Sequence, residues 1–276
     1  MPRPERLYRI EGVILRRHDL GETDRLLTVY TRERGKIKVV AKGARKPTSR
    51  RAGYVELYLR IEALIAAGRS LDILTQAEIV DAYLPLRQDL TRAMYAAHFG
   101  ELVDAFTEEG DENRPLYRLL TEGLGWLCRT EDLRRTASYF EIHFLDVVGF
   151  RPELGRCVIC SEPITARNQF FSTVEGGVVC PSCGQHRSGI RPLSLNALKV
   201  LRHMQRSPFD AIEQVRVSPP VHNEVERILH DILTYHLERR LKSAAFLSRL
   251  RREAERRRRE QEEAAPPEPD REEGDP

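Results

Sequence analysis

The chain has 276 residues, of which 41% are hydrophobic, and its 45 basic and 42 acidic side chains give a formal net charge of +3. This length and apolar fraction predict a globular protein of two or three modules. No stretch approaches the run of about 18 apolar residues that a membrane span requires, and the start, MPRPERLYRIEG, has no signal-peptide core. We therefore expect a cytoplasmic protein.

The basic residues are concentrated at the N-terminal end. Residues 1–51 hold fifteen Lys and Arg side chains against six acids, a net charge of +9. Because the chain as a whole is nearly balanced, this local excess predicts an anionic partner for the first module.

Five short segments rich in Val, Ile, Leu and Tyr come first, separated by turn signals. They are YRIEGVILRR, DRLLTVYT, KIKVVA, YVELYLRIEALI after Gly53, and LDILTQAEIV after Gly68. Short apolar runs of this kind are typical of strands. Five of them suit the five-stranded Greek-key barrel called the OB-fold. We predict an OB-fold nucleic-acid-binding domain over residues 1–82.

Helical periodicity replaces this pattern in the next segments. LTRAMYAAHFGELVDAF has apolar residues at helical spacing, namely Leu90, Met94, Ala97, Leu102, Val103 and Phe106. LYRLLTEGLGWLC and LRRTASYFEIHFLDVVGF share this periodicity, which returns in SLNALKVLRHMQ, with Ser194 as its predicted N-cap, and in the segment that begins PPVHNEVERILHDIL. We predict one helical domain in two parts, residues 83–150 and 191–250, and a charged, disordered tail over residues 251–276. The fold class is therefore α+β.

Four of the five cysteines form two close pairs, CVIC and CPSC. The spacing C-x2-C-x19-C-x2-C is typical of a tetrahedral zinc site with Zn–S distances of about 2.3 Å. Between the pairs, NQFFSTVEGGVVC predicts a hairpin that turns at Gly176 and Gly177. Four thiolates close the coordination shell, which favours a structural over a catalytic ion. We predict a zinc ribbon over residues 151–190 with one structural zinc on Cys157, Cys160, Cys180 and Cys183.

The stretch RGKIKVVAKGARKPTSRR, residues 34–51, carries eight cations and no acid. Alternation in KIKVVA places Lys36 and Lys38 on one face of a strand, and KGARKPTSRR predicts a flexible loop that follows a phosphate backbone. Tyr8, Tyr30, Tyr54 and Tyr58 are candidates for base stacking, although aromatic residues of short strands more often belong to the core. The candidate nucleic-acid contacts are Arg16, Arg17, Arg25, Arg34, Lys36, Lys38, Lys42, Arg45, Lys46, Arg50 and Arg51.

Several enzyme signatures are missing from the sequence, including a phosphate-binding loop, H-E-x-x-H and G-x-S-x-G. Glu22 and Asp24, beside Arg25, are expected to set a hairpin turn and not to bind a catalytic metal. We predict a protein that is not an enzyme. Two alternatives stay open: a metal-dependent nuclease, and an RNA-binding or transcription-associated protein with an OB-fold and a zinc ribbon. Composition does not separate DNA from RNA.

Two separated motifs resemble the RecO family of bacterial DNA repair and recombination-mediator proteins. They are GETDRLLTVYTRERGKIKVVAKGARK at residues 21–46 and VGFRPELGRCVIC at residues 148–160, the latter followed by CPSCG. The resemblance spans about residues 7–248. It implies an OB-fold and a helical domain with an inserted zinc module.

The same resemblance implies a function. Such proteins bind single- and double-stranded DNA and anneal complementary strands. With RecR they promote loading of RecA on DNA covered by single-strand-binding protein, without hydrolysing nucleotides themselves. It also implies a cytoplasmic location at the nucleoid. The tail after about residue 250 has no counterpart in this resemblance.

Overall fold

Five strands close into a barrel at the N-terminal end of the computed structural model, which describes residues 7–47, residue 49 and residues 53–237. The strands are β1 (Leu7–Leu20), β2 (Asp24–Thr31), β3 (Gly35–Ala41), β4 (Arg60–Ala66) and β5 (Asp72–Asp81). They pair in the order β1-β2-β3-β5-β4, and β4 returns to β1. β3 and β5 run parallel, whereas the other neighbours are antiparallel. The predicted OB-fold barrel is confirmed.

Alternating apolar side chains fill the inside of this barrel. Val29 of β2 lies opposite Ile14 of β1. Gly12 of β1 has no side chain at a point where a Cβ atom would lie 2.6 Å from the Cγ1 atom of Val29. The buried residues of the barrel core include Ile10, Ile14, Leu27, Val29, Val39, Ile61, Ile65 and Leu74.

The predicted fourth strand is wrong in its first half. Residues 53–59 form turns and β4 begins only at Arg60. Tyr58 has a φ of 61°, and its N–H donates to the carbonyl of Ile14 at 2.8 Å. Val55 and Leu59 are fully buried and belong to the barrel core. The apolar residues of this segment therefore pack into the barrel without extending β4.

Eight helices follow among the described residues. They are α1 (Pro85–Gln88), α2 (Leu90–Phe106), α3 (Arg114–Arg129), α4 (Leu133–Val147), α5 (Pro181–Gly184), α6 (Leu195–Arg206), α7 (Phe209–Glu213) and α8 (Pro219–Leu237). Ser194 accepts a hydrogen bond from the N–H of Ala197 and so confirms the predicted N-cap of α6. None of these helices is both long and apolar enough to cross a bilayer. The predicted helical residues 238–250 and the predicted tail, residues 251–276, lie outside the described part of the chain.

The central helix α2 is buried around most of its circumference. It packs against β1, α1, α3 and α4, and the Phe99 ring stacks on Phe140 of α4 with ring centroids 3.7 Å apart. The predicted helix is confirmed, but the apolar residues that indicated it are not all buried. Leu90 is 70% exposed, whereas Tyr95 and Phe99, which are not among those residues, are buried. A helix with neighbours on most sides shows no single apolar face.

A small three-stranded sheet lies between α4 and α6 in the chain. It consists of β6 (Gln169–Ser172), β7 (Gly177–Val179) and β8 (Arg191–Leu193) in the order β7-β6-β8. The predicted hairpin is confirmed, since β6 and β7 are antiparallel and Gly176 has a φ of 70° in the turn. Phe171, Val178 and Leu193 belong to the same buried core as the helices. The four cysteines lie in this inserted unit, as expected for a zinc ribbon.

The barrel contacts the helices through both apolar and polar side chains. Val13, Leu15 and Tyr30 of the barrel belong to the helical core. Glu11, whose side chain is 13% exposed, accepts hydrogen bonds from Arg60 at 2.6 Å and from the Tyr117 hydroxyl of α3 at 3.2 Å. These contacts hold the barrel in a fixed orientation against α3.

Lys36 of β3 adds a second polar link between the two parts. Its ammonium donates to the carbonyls of Asp104 at 2.7 Å and Thr107 at 2.6 Å, and to the Asp104 carboxylate at 3.2 Å. These carbonyls lie at the C-terminal end of α2, where the helix dipole favours a cation. The Lys36 side chain is 11% exposed, so its charge is satisfied inside the protein.

We expect Lys36→Met to lower the free energy of unfolding by about 2 kcal/mol, because the substitution leaves partly buried acceptors without their charged donor. Lys38→Met is the matched control. Lys38 pairs with Glu109 at the surface, and surface pairs contribute little. Urea unfolding of the two variants measures the difference. Equal changes in the two variants would contradict a structural role for Lys36.

Candidate metal centre and nucleic-acid interface

Two sharp turns bring four cysteines together. Cys157 and Cys160 precede the small sheet, while Cys180 follows β7 and Cys183 lies in α5. Their four Sγ atoms all lie within 4.8 Å of one another, a grouping that can hold one metal ion. Cys157 is 1% exposed, whereas Cys160 lies at the surface. The sequence therefore predicted correctly that these four residues meet.

Backbone hydrogen bonds shape both turns. The N–H of Ser161 donates to the carbonyl of Cys157 at 2.8 Å, and the N–H of Gly184 donates to the carbonyl of Cys180 at 2.9 Å. The N–H of Cys180 also points at the sulfur of Cys157, with a distance of 3.3 Å from N to Sγ. Each pair of sulfurs is thus positioned by the main chain.

The electrostatics of the cluster favour a bound cation. Burial alone would raise the pKa of Cys157, but N–H donors of Cys180, Cys160 and Ile159 outweigh it and lower that pKa to about 6. The sulfurs of Cys180 and Cys160 raise the pKa of Cys183 to about 12. Four thiolates at this separation repel one another, and a metal ion removes that repulsion.

Gly184 allows close packing beside the second pair. A Cβ atom at this position would lie 2.4 Å from the Cδ2 atom of Phe170 in β6, so a larger residue would push α5 away from the sheet. His186 is exposed and lies outside the sulfur cluster. Cys128, the fifth cysteine, is half-buried in α3.

The basic loop after β3 is tied to the turn between β1 and β2. The N–H of Arg45 donates to the carbonyl of Thr23 at 2.9 Å, and its guanidinium donates to the carbonyl of Gly21 at 2.9 Å. Asp24 accepts from the N–H of Gly43 at 2.7 Å, which with the Thr23 hydroxyl lowers the Asp24 pKa. Residues 42–47 are therefore tethered, unlike the flexible loop that we predicted. Asp24 holds this loop through Gly43, and its role in setting its own hairpin turn stays a prediction.

Carboxylates lie beside several of the predicted contacts around this loop. Arg45 pairs with Asp19 at 3.3 Å, and Arg25 pairs with Glu56 at 3.3 Å. Arg17 also pairs with Glu56. Lys42, Arg45 and Lys46 are exposed. The structure thus brings these cations together at one end of the barrel.

A second group of predicted contacts faces the end of α2. Lys36 and Lys38 share one strand face, as the alternation predicted, but Lys36 is satisfied by Asp104 and Thr107 and Lys38 pairs with Glu109. Arg16 pairs with Asp104 at 2.5 Å. Residues far away in sequence supply these acceptors, and no local pattern indicates the pairing.

The remaining candidates have different surroundings. Arg34 lies over the ring of Tyr8, 4.1 Å from its centroid. Tyr30 is fully buried and Tyr54 is 36% exposed. Tyr58 is half-buried. Arg50 and Arg51 lie outside the described residues.

Comparison with known proteins matches both halves of the chain. The family model for "Recombination protein O N terminal" matches residues 6–83, and the model for "Recombination protein O C terminal" matches residues 87–245. The chain is 40% identical over 247 residues to the DNA repair protein RecO of Roseiflexus sp. (strain RS-1), covering 90% of this chain and 87% of that protein.

Two further relatives are similar over most of their length. The DNA repair protein RecO of Pelotomaculum thermopropionicum is 39% identical over 244 residues, 88% of this chain and 94% of that protein. The protein of the same name from Symbiobacterium thermophilum is 37% identical over 248 residues, 89% of this chain and 98% of that protein.

We expect the purified chain to hold about one metal ion, as in structural four-cysteine sites, and Cys160→Ser to lose it. Cys160 is the exposed member of the cluster, so this change disturbs packing least. Cys128→Ser is the matched control and should keep the metal. Elemental analysis of the three proteins after dialysis measures the content. A Cys160→Ser protein that retains a full metal ion would contradict the assignment of this ligand.

Proposed function

The chain belongs to the RecO family of DNA repair proteins, and on that premise we propose that it is a non-catalytic recombination mediator that binds single- and double-stranded DNA and anneals complementary strands. We propose further that it acts with RecR to promote RecA loading on DNA covered by single-strand-binding protein. The observation that carries the proposal is the group of exposed cations on the tethered loop at residues 42–47.

The position of this loop suits single-stranded nucleic acid. OB-folds bind oligonucleotides through the face of strands 2 and 3 and through loops that include the one between strands 1 and 2. Here the basic loop follows β3 and is hydrogen-bonded to the β1–β2 turn at Gly21 and Thr23. A phosphate backbone along this edge of the barrel would meet Lys42, Arg45 and Lys46.

The ion pairs around the loop do not prevent such binding. In the pair between Arg45 and Asp19 the side chains are 35% and 58% exposed, and pairs at the surface are worth only about 0–1 kcal/mol. A phosphate can therefore replace the carboxylate at small cost. Lys36 is different, because its ammonium is enclosed by α2, and we leave it out of the proposed DNA surface. Arg50 and Arg51 stay candidates on sequence grounds.

Annealing follows from contacts of this kind. Two complementary strands are polyanions that repel each other, and cations that neutralise phosphate reduce the repulsion. Phosphate contacts position the strand without reading its sequence, so the base edges stay free to pair. Tyr54, the partly exposed tyrosine near the loop in sequence, is the best placed of the four candidates for base stacking.

We propose zinc as the metal of the four-cysteine cluster. Thiolate ligands in a tetrahedral set select zinc or iron, and two C-x2-C turns on a ribbon are typical of structural zinc. The closed set of four sulfurs argues against the nuclease alternative, because a catalytic ion needs an open position. We also propose the domain boundaries predicted from the sequence, except that the ribbon predicted over residues 151–190 extends through β8, whose residues Arg191–Leu193 pair with β6.

The double variant Lys42→Glu with Lys46→Glu tests the DNA surface. Each lost phosphate contact on a single strand flattens the slope of log K against log[salt] by about 0.7, so we expect a slope shallower by about 1.4 and weaker binding. The matched control is Arg167→Glu with Arg227→Glu, which changes two exposed arginines of the ribbon and α8. Fluorescence anisotropy over a salt series gives both slopes. An unchanged slope in the lysine variant would rule out this loop.

Annealing on coated DNA tests the function itself. We expect the wild-type chain to accelerate annealing of complementary strands covered by single-strand-binding protein, without added nucleotide, and the lysine double variant to do so less. Fluorescence quenching on duplex formation measures the rate. Competition with matched RNA oligonucleotides distinguishes the RNA-binding alternative. Annealing no faster than without the chain, together with preferred RNA binding, would favour that alternative.

A further inference from the structure

An apolar groove lies between α6 and the segment that joins α7 to α8. Its volume is about 210 Å³, and its floor is formed by Val200 and Met204 of α6, Ile212 of α7, and Val217. Lys199 and His203 of α6 also line it. None of the four cysteines and no residue of the loop at residues 42–47 lines this groove. It therefore has the character of a separate docking surface.

The charged side chains that α6 contributes near this groove are all basic. The helix contains Lys199, Arg202 and Arg206 and no acidic residue. Arg202 donates to the carbonyl of Leu154 at 2.8 Å. Lys199 and Arg206 are exposed, and no carboxylate of the described residues pairs with either. Two exposed cations beside an apolar floor suit an acidic segment that contains a short apolar stretch.

The chain carries such a segment at its C-terminal end. Residues 260–276, EQEEAAPPEPDREEGDP, hold eight acids and one arginine, and the acids flank the uncharged run Ala-Ala-Pro-Pro at residues 264–267. The family match ends at residue 245, so this segment is additional to the matched domains. We propose that residues 260–276 dock in cis on the α6 groove, with Ala-Ala-Pro-Pro over the apolar floor and carboxylates beside Lys199 and Arg206.

The length of the connecting chain permits this contact. The groove adjoins residue 217, just before α8 begins at Pro219, and α8 ends among the described residues at Leu237. A helix of 19 residues is about 28 Å long. The 24 residues from 238 to 261 can span at most about 80 Å when fully extended, well over the length of α8. The acidic segment can therefore return to the groove.

Two other cationic regions compete for the same acids. One is the arginine run at residues 256–259, next to the acidic segment in sequence, and the other is the loop at residues 42–47. The loop adds no apolar floor to its charge, since Lys42, Arg45 and Lys46 are exposed on it. In the sequence of residues 251–259, Ala254 is the one hydrophobic side chain. The α6 groove matches both the charge and the apolar run, which decides the choice. While this segment occupies the groove, other acidic partners could not bind there.

Zero-length carbodiimide coupling of the intact chain tests the proposal, because the sequence has only six lysines: Lys36, Lys38, Lys42, Lys46, Lys199 and Lys242. The reagent joins an amine to a carboxylate in direct contact. We expect tryptic digestion of the monomer band to yield a product that links Lys199 to an acid of residues 260–276. Lys38 and Glu109, which form an ion pair, supply an internal positive control in the same digest.

Two variants make the assignment specific. Lys199→Arg keeps the charge but removes the amine, so the product should vanish. Amide replacement of Glu262, Glu263, Glu268 and Asp270 should lower the yield of the Lys199 product several-fold while the product of Lys38 with Glu109 stays. The proposal is overturned if the segment links instead to Lys42, Lys46 or Lys242, if its link to Lys199 occurs only in a dimer band, or if only the control product forms.

Discussion

The ammonium of Lys36 at the end of α2 determines how the two large parts of the molecule meet. A lysine with 11% exposure is tolerated only where acceptors satisfy its charge, and here two carbonyls and a carboxylate do so. Glu11, Arg60 and Tyr117 form a second polar contact along the same junction. Because β3 is fixed in this way, the loop that follows it at residue 42 leaves the barrel in one direction.

Neighbouring lysines of one short stretch therefore have different roles. Lys36 closes the junction, Lys38 pairs with Glu109 at its rim, and Lys42 lies on the exposed loop. Alternation along a strand predicts which side chains share a face, but it does not predict what covers that face. The cations of this stretch look uniform in the sequence, but among the described residues the helical domain divides them into a structural part and an exposed part.

The difference between local patterns and long-range contacts explains which features could be predicted from the sequence. Strands with local alternation and cysteines with local spacing carry their signal within a few residues, so the barrel and the meeting of Cys157, Cys160, Cys180 and Cys183 were predictable. The burial of α2 depends on four neighbouring elements, and the pairing of Arg45 with Asp19 depends on the fold of the loop. Such long-range contacts leave no periodic signal.

The four cysteines differ in burial, and this difference links the metal cluster to the helical core. A ribbon whose strands have only three or four residues cannot bury a core of its own. Cys157 lies within the helical core, and Arg202 of α6 holds the carbonyl of Leu154 just before it. Cys160, by contrast, lies at the surface. The helices therefore fix one side of the cluster, and a bound ion would fix the other by joining the exposed sulfur to the buried one.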